Sequence, residues 1–540
     1  MSDLINPGEQ GAYSFSSVVY AAPDLDYTTG QGLEQYQIYH TPTTDFGTQS
    51  IDISDLANLD ASFPWPFDNT QVPINGHIRV PEGNGPFPLA IFAHGNHHPP
   101  ENSTPGYLYL CELLASHGII AATIDVNFLN GINFGENDAR AIVHLEHIKQ
   151  FQIWNAQVGH PLAGKVDRSR MMIVGHSRGG EAVAHASLFN SMSEVQFEPN
   201  TRPIPLDGSE GLGPYDFNLR SVVAIAPTDG QYVPVSGQLT QVRDNYSILH
   251  GSRDADVFNF EGYKTYDRAH PLDLANLTQP NRGFKSLLWI HGANHNYFNS
   301  VWNQESDKTL KRDRQEQIAK IYISSIAQAL LQDRQFGVDA GWLSKDIDLV
   351  SQYQAPQRQL IQHFEEPGST LELSAPVRGE VKVVNINAQK QSFVGTMQGN
   401  LYQETQGVRL EWNRTDGAYR IQLEPDNLEI TADRFLLFRV GQSTESPNPI
   451  GKKQDLTIEV GDGVKVVSLK ASSINQMIQP DRFFRPPFFV IARVVMQTFR
   501  IQLKLLQDEG LDLQNLSEIG LVFNLTPSGV LYLDDIQISN

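Results

Sequence analysis

The sequence has very little cysteine and no long apolar run. Its 540 residues include a single cysteine, Cys111, so no disulfide can form within the chain. No stretch of about 18 consecutive apolar residues occurs, and the first residues lack the basic start and apolar core of a secretory signal peptide. We therefore expect a cytoplasmic protein without a transmembrane segment, unless a leader has been removed from the sequence.

Positive charge is also scarce. The chain has 40 Lys and Arg residues against 61 Asp and Glu residues, which gives a formal net charge of −21. Repulsion would oppose an encounter with nucleic acid or with an acidic membrane surface. The composition therefore favours a small, neutral or apolar substrate.

The pattern along the chain predicts several parts. With 40% hydrophobic residues, the chain is long enough for two or three cores. Residues 1–70 are rich in Gly, Pro, Asp and Thr and are predicted to wrap the next domain. We expect a catalytic domain over 71–335, a breaker-rich connector over 336–358 and a separate domain over 359–540.

The catalytic domain is predicted to be α/β, with a doubly wound, mostly parallel sheet. Short apolar runs alternate with helical segments, as parallel βαβ units require. The runs lack polar alternation, which suits strands covered by helices on both faces. Predicted strands are Leu89–Ala93, Ile119–Ile124, Met171–Val174, Val222–Ala226, Ser247–His250 and Leu287–His291, and predicted helices are Tyr107–Ser116, Asp138–Phe151 and Asp307–Asp333.

The last third of the chain has a different pattern. Apolar residues alternate with polar ones, and turns of Gly, Asp and Pro separate the segments, which predicts an all-β sandwich. The predicted strands include Val408–Trp412, Tyr419–Leu423, Phe435–Val440, Leu456–Val460, Phe499–Leu503 and Leu531–Ile538.

The segment Gly175–Gly180 reads Gly-His-Ser-Arg-Gly-Gly between a predicted strand and a predicted helix. A nucleophile elbow needs this arrangement, because the serine occupies a strained turn and the flanking glycines let the backbones approach. A Gly-x-Ser-x-Gly match alone is weak, and the strand and helix around it make it specific. Ser177 is the predicted nucleophile.

A serine hydroxyl needs a base to take its proton. His295 lies a few residues after the last predicted strand, where the chain order Ser, acid, His requires the base. The neighbouring His291 is the weaker candidate, since it falls at the strand end.

Three carboxylates compete to orient the base. Asp254 follows the penultimate predicted strand, Asp229 ends the strand before it, and Asp256 lies two residues beyond Asp254. A triad acid holds the imidazole tautomer and stabilises the imidazolium. Asp254 is the first choice and Asp229 the main alternative; the losing aspartates would be turn residues.

Acyl transfer also needs backbone donors for the developing oxyanion. The N–H groups of Arg178 and Asn96 are the candidates, the second from the loop after an early strand. His94, His97 and His98 share that loop, but no Asp, Glu or Cys joins them at a ligand-like spacing. We expect no metal there and place these histidines at the pocket mouth.

With these motifs, residues 70–300 resemble the α/β-hydrolase subgroup of chlorophyllases, bacterial polyester hydrolases and platelet-activating-factor acetylhydrolases. The Gly175–Gly180 elbow and the segment Leu114–Gly118 are similar to chlorophyllases. The resemblance implies a carboxylic ester hydrolase without a cofactor. Chlorophyllase-like and acetylhydrolase-like proteins would place the acid at Asp229, whereas polyester hydrolases would place it at Asp254, so the acid stays open.

The segments 513–523 and 531–538 look like the last strands of a galactose-binding-like jelly roll of the carbohydrate-binding type. This resemblance implies a glycan contact; packing or assembly is the alternative role. Two other functions follow as hypotheses: an esterase acting on acylated polysaccharide, and a catalytically silent hydrolase fold used as a binding module. The segment Phe197–Leu219 departs from the relatives and is a candidate lid.

Overall fold

The structure is a computed structural model. It describes residues 6–23, 45–131, 136, 138–197, 202–232, 242–269, 283, 285–303, 308–334, 349–354, 358–365, 367–394, 402–424, 428, 430–448, 451–480, 482–485 and 489–539. The chain forms two compact units, Met1–His270 with Gly292–Ile347 and Pro271–His291 with Asp348–Asn540.

The first unit combines a large sheet with helices. Its strands are β1 (Phe15–Ala21), β2 (Phe46–Gly47), β3 (Ser50–Ile51), β4 (Val72–Pro73), β5 (Gly76–Pro81), β6 (Phe87–Ala93), β7 (Ile120–Ile124), β8 (Val166–His176), β9 (Glu194–Val195), β10 (Ile204–Pro205), β11 (Leu219–Ile225) and β12 (Asn245–Gly251). Its helices are α1 (Leu108–Ser116), α2 (Ala139–Ala156), α3 (Arg178–Phe189), α4 (Gly262–Arg268) and α5 (Arg312–Gln332).

Within this unit the sheet runs in the order β12, β11, β8, β6, β7, β5, β1, β2. The five strands from β12 to β7 are mutually parallel, and β5 is antiparallel to both β7 and β1. Every residue of β6 and β7 is buried, as expected for central strands with both faces covered. The predicted α/β class is confirmed at this level.

Residues 1–70 are predicted to wrap the next domain, and one part of them, β1, is a strand of the large sheet. β1 pairs antiparallel with β5 from Phe15↔Pro81 to Tyr20↔Gly76. Two consecutive serines, Ser16 and Ser17, interrupt the apolar alternation of β1, and its partner strand lies about sixty residues further on. At the other end, α5 begins at Arg312 rather than Asp307; residue 307 lies outside the described residues.

The second unit contains antiparallel sheets. Two of them have the orders β17, β18, β27, β20, β25, with β15 paired to β27, and β16, β19, β26, β21, β22; β13 pairs with β14, and β23 with β24. Bounds are β13 (Lys285–Ile290), β14 (Leu349–Gln354), β15 (Gln359–Gln362), β16 (Gly379–Val384), β17 (Asn387–Val394), β18 (Tyr402–Trp412), β19 (Gly417–Leu423), β20 (Phe435–Gln442), β21 (Thr457–Gly461), β22 (Val466–Lys470), β23 (Arg482–Arg485), β24 (Phe489–Ala492), β25 (Gln497–Gln502), β26 (Glu518–Phe523), β27 (Gly529–Ser539), α6 (Ala471–Ile474) and α7 (Leu503–Asp508).

One apolar core is shared by the two larger sheets of this unit. It includes Leu410 and Phe438 from one sheet and Ile421 and Ile458 from the other. The predicted antiparallel strands of this region are therefore present, with bounds that extend beyond most of the predicted ones.

Part of the predicted connector, residues 336–358, forms a strand. β14 pairs antiparallel with β13 through six residue pairs, from Lys285↔Gln354 to Ile290↔Leu349. Strand propensity depends on the partner, and this partner lies about sixty positions earlier in the chain. Residues 336–348 and 355–357 of the predicted connector lie outside the described residues.

The candidate lid, Phe197–Leu219, is anchored at several points. Residues 198–201 lie outside the described residues. Leu206, Leu212 and Tyr215 are buried, and the Tyr215 hydroxyl donates to the Glu146 carboxylate at 2.6 Å. These contacts fix the described part of the segment against α2.

Among the helices that the structure describes, none has the length and apolar composition needed to cross a bilayer. The longest, α5, has 21 residues and carries charged side chains along its first half.

Candidate active site

Ser177 lies between the end of β8 and the start of α3. Its backbone has φ 58° and ψ −123°, a strained conformation for a residue with a side chain. The Ser177 N–H donates to the carbonyl of Ile225 at 2.8 Å, and the N–H groups of Gly180 and Glu181 donate to the Ser177 carbonyl at 2.8 and 3.2 Å. The neighbouring strand and the first turn of α3 therefore fix the turn on both sides.

The glycines of the turn are required by close backbone contacts. A Cβ atom on Gly175 would lie 1.8 Å from the carbonyl oxygen of Gly179, and one on Gly179 would lie 2.6 Å from that of His94. A Cβ atom on Gly95 would lie 2.4 Å from the Ser177 Cβ and 3.1 Å from its hydroxyl oxygen. The loop after β6 thus packs directly against the Ser177 side chain.

Replacing Gly95 by Ala should displace this loop from Ser177. The new Cβ would also lie 2.6 Å from the His176 carbonyl, so the backbone must move, and a shift of about 1 Å in an active site can reduce turnover about 100-fold. We expect ester hydrolysis to fall by that factor, as measured by initial rates. Gly47→Ala is the control, because its Cβ would lie 3.7 Å from the nearest atom; equal losses in both variants would contradict the prediction.

The carboxylate that contacts His295 is that of Asp254. Its Oδ2 lies 2.8 Å from His295 Nδ1 and 3.2 Å from His250 Nε2. Its Oδ1 accepts the backbone N–H groups of Asp256 and Val257 at 3.0 and 2.7 Å. The structure therefore holds this carboxylate in one orientation, facing the imidazole.

Asp254 is fully buried and His295 is 1% exposed. Burial alone raises the pKa of Asp254, but the attraction of His295 and the hydrogen bond from His250 outweigh it and leave the pKa well below its usual range. The carboxylate is therefore ionised at neutral pH. An anion at Nδ1 keeps the ring proton on that nitrogen and leaves Nε2 able to accept a proton.

The His295 ring lies beside the residue that precedes Ser177. The ring centroids of His295 and His176 are 4.7 Å apart, and the Tyr107 hydroxyl contacts His176 Nδ1 at 2.8 Å. Burial, followed by the proximity of His295, lowers the pKa of His176 far below its usual value. Because the His176 ring is neutral, it does not repel His295 when His295 is protonated.

The other ring nitrogen of His295, Nε2, lies near a second carboxylate. Nε2 lies 3.6 Å from the carboxylate of Asp256, whose side chain is 66% exposed. Asp256, the third candidate acid, therefore contacts the opposite nitrogen from Asp254. His98 in the loop after β6 is also exposed.

Asp229, the main alternative acid, has other partners. Its Oδ1 accepts a hydrogen bond from the Thr265 hydroxyl at 2.9 Å and pairs with the Arg268 guanidinium. His291 follows β13 directly and is half-buried. The structure thus brings His295 together with Asp254 and places Asp229 against α4.

The candidate oxyanion donors lie on the two segments next to Ser177. Arg178 is the first residue of α3, where backbone N–H groups have no partner within the helix. Asn96 follows Gly95, and its side-chain oxygen accepts the N–H of Gly131 at 2.8 Å. This hydrogen bond ties the loop after β6 to the loop after β7.

The prediction that all three histidines of this loop lie at the pocket mouth is wrong for His94. His94 is fully buried rather than at a pocket mouth, because its Nδ1 donates to the Gly95 carbonyl at 2.8 Å and its Nε2 accepts the Val126 N–H at 3.3 Å. His97 and His98 are at least partly exposed. Among the described residues, no cluster of three or more His, Cys, Asp or Glu side chains is arranged to hold a metal.

A buried ion pair that the sequence did not reveal supports the same loops. Arg140, on α2, pairs with Glu136 and donates to the Leu129 carbonyl at 2.7 Å. The Glu136 carboxylate also contacts Arg178 at 3.5 Å and accepts from the Tyr232 hydroxyl at 2.9 Å. Its only signal in the sequence was Arg140, a charged residue between the apolar residues at the start of α2.

Glu181, in the first turn of α3, is a second buried acid. It accepts from the Thr228 hydroxyl at 2.7 Å and from the N–H groups of Gln231 and Tyr232 at 3.0 and 3.2 Å. Burial raises its pKa from 4.5 to about 7, although His185 opposes the shift. The native protein therefore holds a proton that the unfolded chain releases near pH 4.5.

This shift predicts a pH-dependent stability. Between the unfolded pKa of 4.5 and the folded pKa of about 7 the native state binds more protons, so the free energy of unfolding falls as pH rises, by about 3 kcal/mol in total. Glu181→Gln should remove this fall: we expect similar stability at pH 4.5 and a more stable variant at pH 8, by urea unfolding. The same decline in both proteins would contradict the assignment.

Comparisons with known proteins do not assign the chain to a family. No model of a known protein family matches the chain, and no curated protein matches it either.

Proposed function

We propose that this protein is a serine hydrolase that cleaves carboxylic esters through an acyl-enzyme on Ser177. The observation that carries the proposal is the His295–Asp254 pair at 2.8 Å, set beside the strained turn that presents Ser177. The chain order Ser, Asp, His is that of α/β-hydrolases. We propose that fold for the first unit and a jelly roll for the two larger sheets of the second.

The first step would be attack of the Ser177 hydroxyl on the ester carbonyl. His295 Nε2 takes the proton and then gives it to the leaving alcohol, while ionised Asp254 stabilises the imidazolium. The backbone N–H groups of Arg178 and Asn96 would hold the oxyanion. Water, activated by His295, then releases the acid and restores the serine.

The surroundings of the triad favour this chemistry. Ser177 is 3% exposed, so it lies in an environment with little water, where a charge pair is stronger than at the surface. The neighbouring carboxylate of Asp256 and the overall charge of −21 disfavour an anionic substrate. A neutral ester fits both conditions.

Pre-steady-state kinetics with p-nitrophenyl esters of increasing acyl length tests the proposal. An acyl-enzyme mechanism predicts a burst of p-nitrophenol approaching one equivalent per protein when deacylation is slow. Turnover should require no added metal or cofactor, so an EDTA-treated sample is the control. Absence of hydrolysis across the whole ester series would contradict the proposed function.

A further inference from the structure

Three aromatic side chains lie on the segment before β4. In the sequence Phe63-Pro64-Trp65-Pro66-Phe67 the rings alternate with prolines, and all three rings are half-buried. The ring centroids are 6.1 Å apart for Phe63 and Trp65 and 6.3 Å apart for Trp65 and Phe67. These three residues form a continuous surface, here called the aromatic strip.

The strip is fixed by hydrogen bonds centred on Asp60. The Trp65 indole N–H donates to the Asp60 carbonyl at 2.9 Å, and the Ser62 hydroxyl and N–H donate to the Asp60 carboxylate at 2.6 and 3.0 Å. Two prolines restrict the backbone further. The rings are therefore held in place by folding, which lowers the entropy lost when a ligand binds.

The strip contacts the loop after β6, which packs on Ser177, and the loop after β7, which is hydrogen-bonded to it. Phe63 lies edge-on to His98 at 5.9 Å, and Phe67 lies edge-on to Phe128 at 5.7 Å. His98 is three residues from Gly95, at most about 11 Å between Cα atoms, and Gly95 packs on the Ser177 side chain. The aromatic surface thus adjoins the loop proposed to supply the oxyanion donor.

The carboxylates on this side of the molecule disfavour an anionic ligand. Asp60 supports the strip, Glu101 pairs with His97 at 3.1 Å, and Asp256 lies by His295. Aromatic rings prefer edge-on or offset stacking with other rings. A neutral aromatic group meets both requirements.

We propose that the aromatic strip binds an aromatic group of the ester substrate, on either its acyl or its alcohol side. The inference rests on the proposed ester hydrolysis at Ser177 and adds the substrate class. Trp65, at the centre of the strip, makes the main ring contact.

Steady-state kinetics of Trp65→Ala with three esters separates the two sides of the substrate. Vinyl benzoate carries the ring on the acyl group, phenyl acetate carries it on the alcohol, and vinyl acetate carries none. Loss of one stacking partner and its buried area should raise KM about tenfold for one or both aromatic esters, with vinyl acetate changed less than twofold. Equal losses on all three esters, or none on the aromatic pair, would overturn the proposal.

Two further variants keep this test independent of folding. Trp65→Phe retains a ring and should recover most of the aromatic preference, whereas Trp65→Leu retains only bulk and should not. Tyr13→Ala is the matched control, because Tyr13 is 45% exposed and lies edge-on to Phe87 at 5.9 Å, at the other end of β6. A loss of preference in the Tyr13 variant equal to that in Trp65→Ala would also overturn the proposal.

A binding measurement separates this proposal from the proposed function. In the Ser177→Ala background, calorimetric titration with 2-acetylnaphthalene, a neutral ketone that cannot be hydrolysed, should show affinity that falls about tenfold with Trp65→Ala. Binding that depends on Trp65 in a protein that hydrolyses no ester would refute only the proposed function. Ester hydrolysis that does not depend on Trp65, either in kinetics or in binding, would refute only the proposed binding of an aromatic group by the strip.

Discussion

Ser177→Ala should lower kcat for a preferred ester by about 10⁶. The hydroxyl oxygen is the only atom removed, while the turn itself is held by backbone hydrogen bonds to Ile225, Gly180 and Glu181 that alanine also makes. The variant should therefore fold normally, although alanine remains strained at φ 58°. Some residual turnover is expected from the oxyanion donors alone.

The matched control for this variant is Ser191→Ala. Ser191 follows α3, is exposed, and its hydroxyl donates only to the Leu188 carbonyl at 3.1 Å. Its kcat should equal that of the wild type. Full activity in a purified Ser177→Ala protein would show that another residue performs the chemistry.

Asp254→Asn should lower kcat by about 10⁴. An asparagine amide can donate to His295 Nδ1 and thereby stabilise the tautomer that carries its proton on Nε2. That ring cannot accept the serine proton. The backbone N–H groups of Asp256 and Val257 can still donate to the side-chain oxygen at position 254, so the fold should survive.

Asp229→Asn separates the two candidate acids. This change weakens the pairing with Arg268 and should reduce stability, but kcat of the folded protein should stay within about tenfold of the wild type, because the Asp254–His295 contact remains. Steady-state rates of both variants, corrected for the folded fraction by circular dichroism, make the comparison. A larger loss in Asp229→Asn than in Asp254→Asn would assign the acid to the earlier strand.

The turn around Ser177 was predictable because its signal is local. The pattern Gly-x-Ser-x-Gly, the apolar run before it and the helical run after it all lie within about twenty residues, and close packing at Gly175 and Gly179 gives the reason. The α/β class was predictable for the same reason, since βαβ periodicity is visible in each segment.

Spacing favours Asp254 as the acid but leaves Asp229 as an alternative. Asp229 and Asp254 each follow a parallel strand, and neighbouring strands end at the same sheet edge. The deciding contacts are tertiary: His250 and two backbone N–H groups orient Asp254, whereas Thr265 and Arg268 hold Asp229. Only the arrangement of the following loops distinguishes the two.

The aromatic strip and the Arg140–Glu136 pair were missed for a related reason. Phe63 and Trp65 stand in a proline-rich segment without helical or strand period, so their position beside the loop after β6 follows only from tertiary contacts. Arg140 occupies a fully buried place on a helix that the pattern would assign to an apolar residue.

The glycan contact expected for the C-terminal region stays a prediction. Among the second-unit residues whose exposure the structure describes, the exposed large apolar side chains are valines and leucines, such as Val384, Val464 and Leu505. Glycan-binding surfaces commonly use aromatic faces. Binding of acylated xylan by Ser177→Ala protein, compared with deacylated xylan, would test this role and the polysaccharide-esterase hypothesis together.

Fluorophosphonate labelling with peptide mass spectrometry tests the central claim most directly, because the reagent needs an activated serine and no knowledge of the substrate. We predict one equivalent of adduct on the tryptic peptide spanning residues 171–178, absent in Ser177→Ala and retained in Ser191→Ala. A folded wild-type protein that stays unlabelled, or that is labelled at a different serine, would contradict the account and favour a hydrolase-like fold used only for binding.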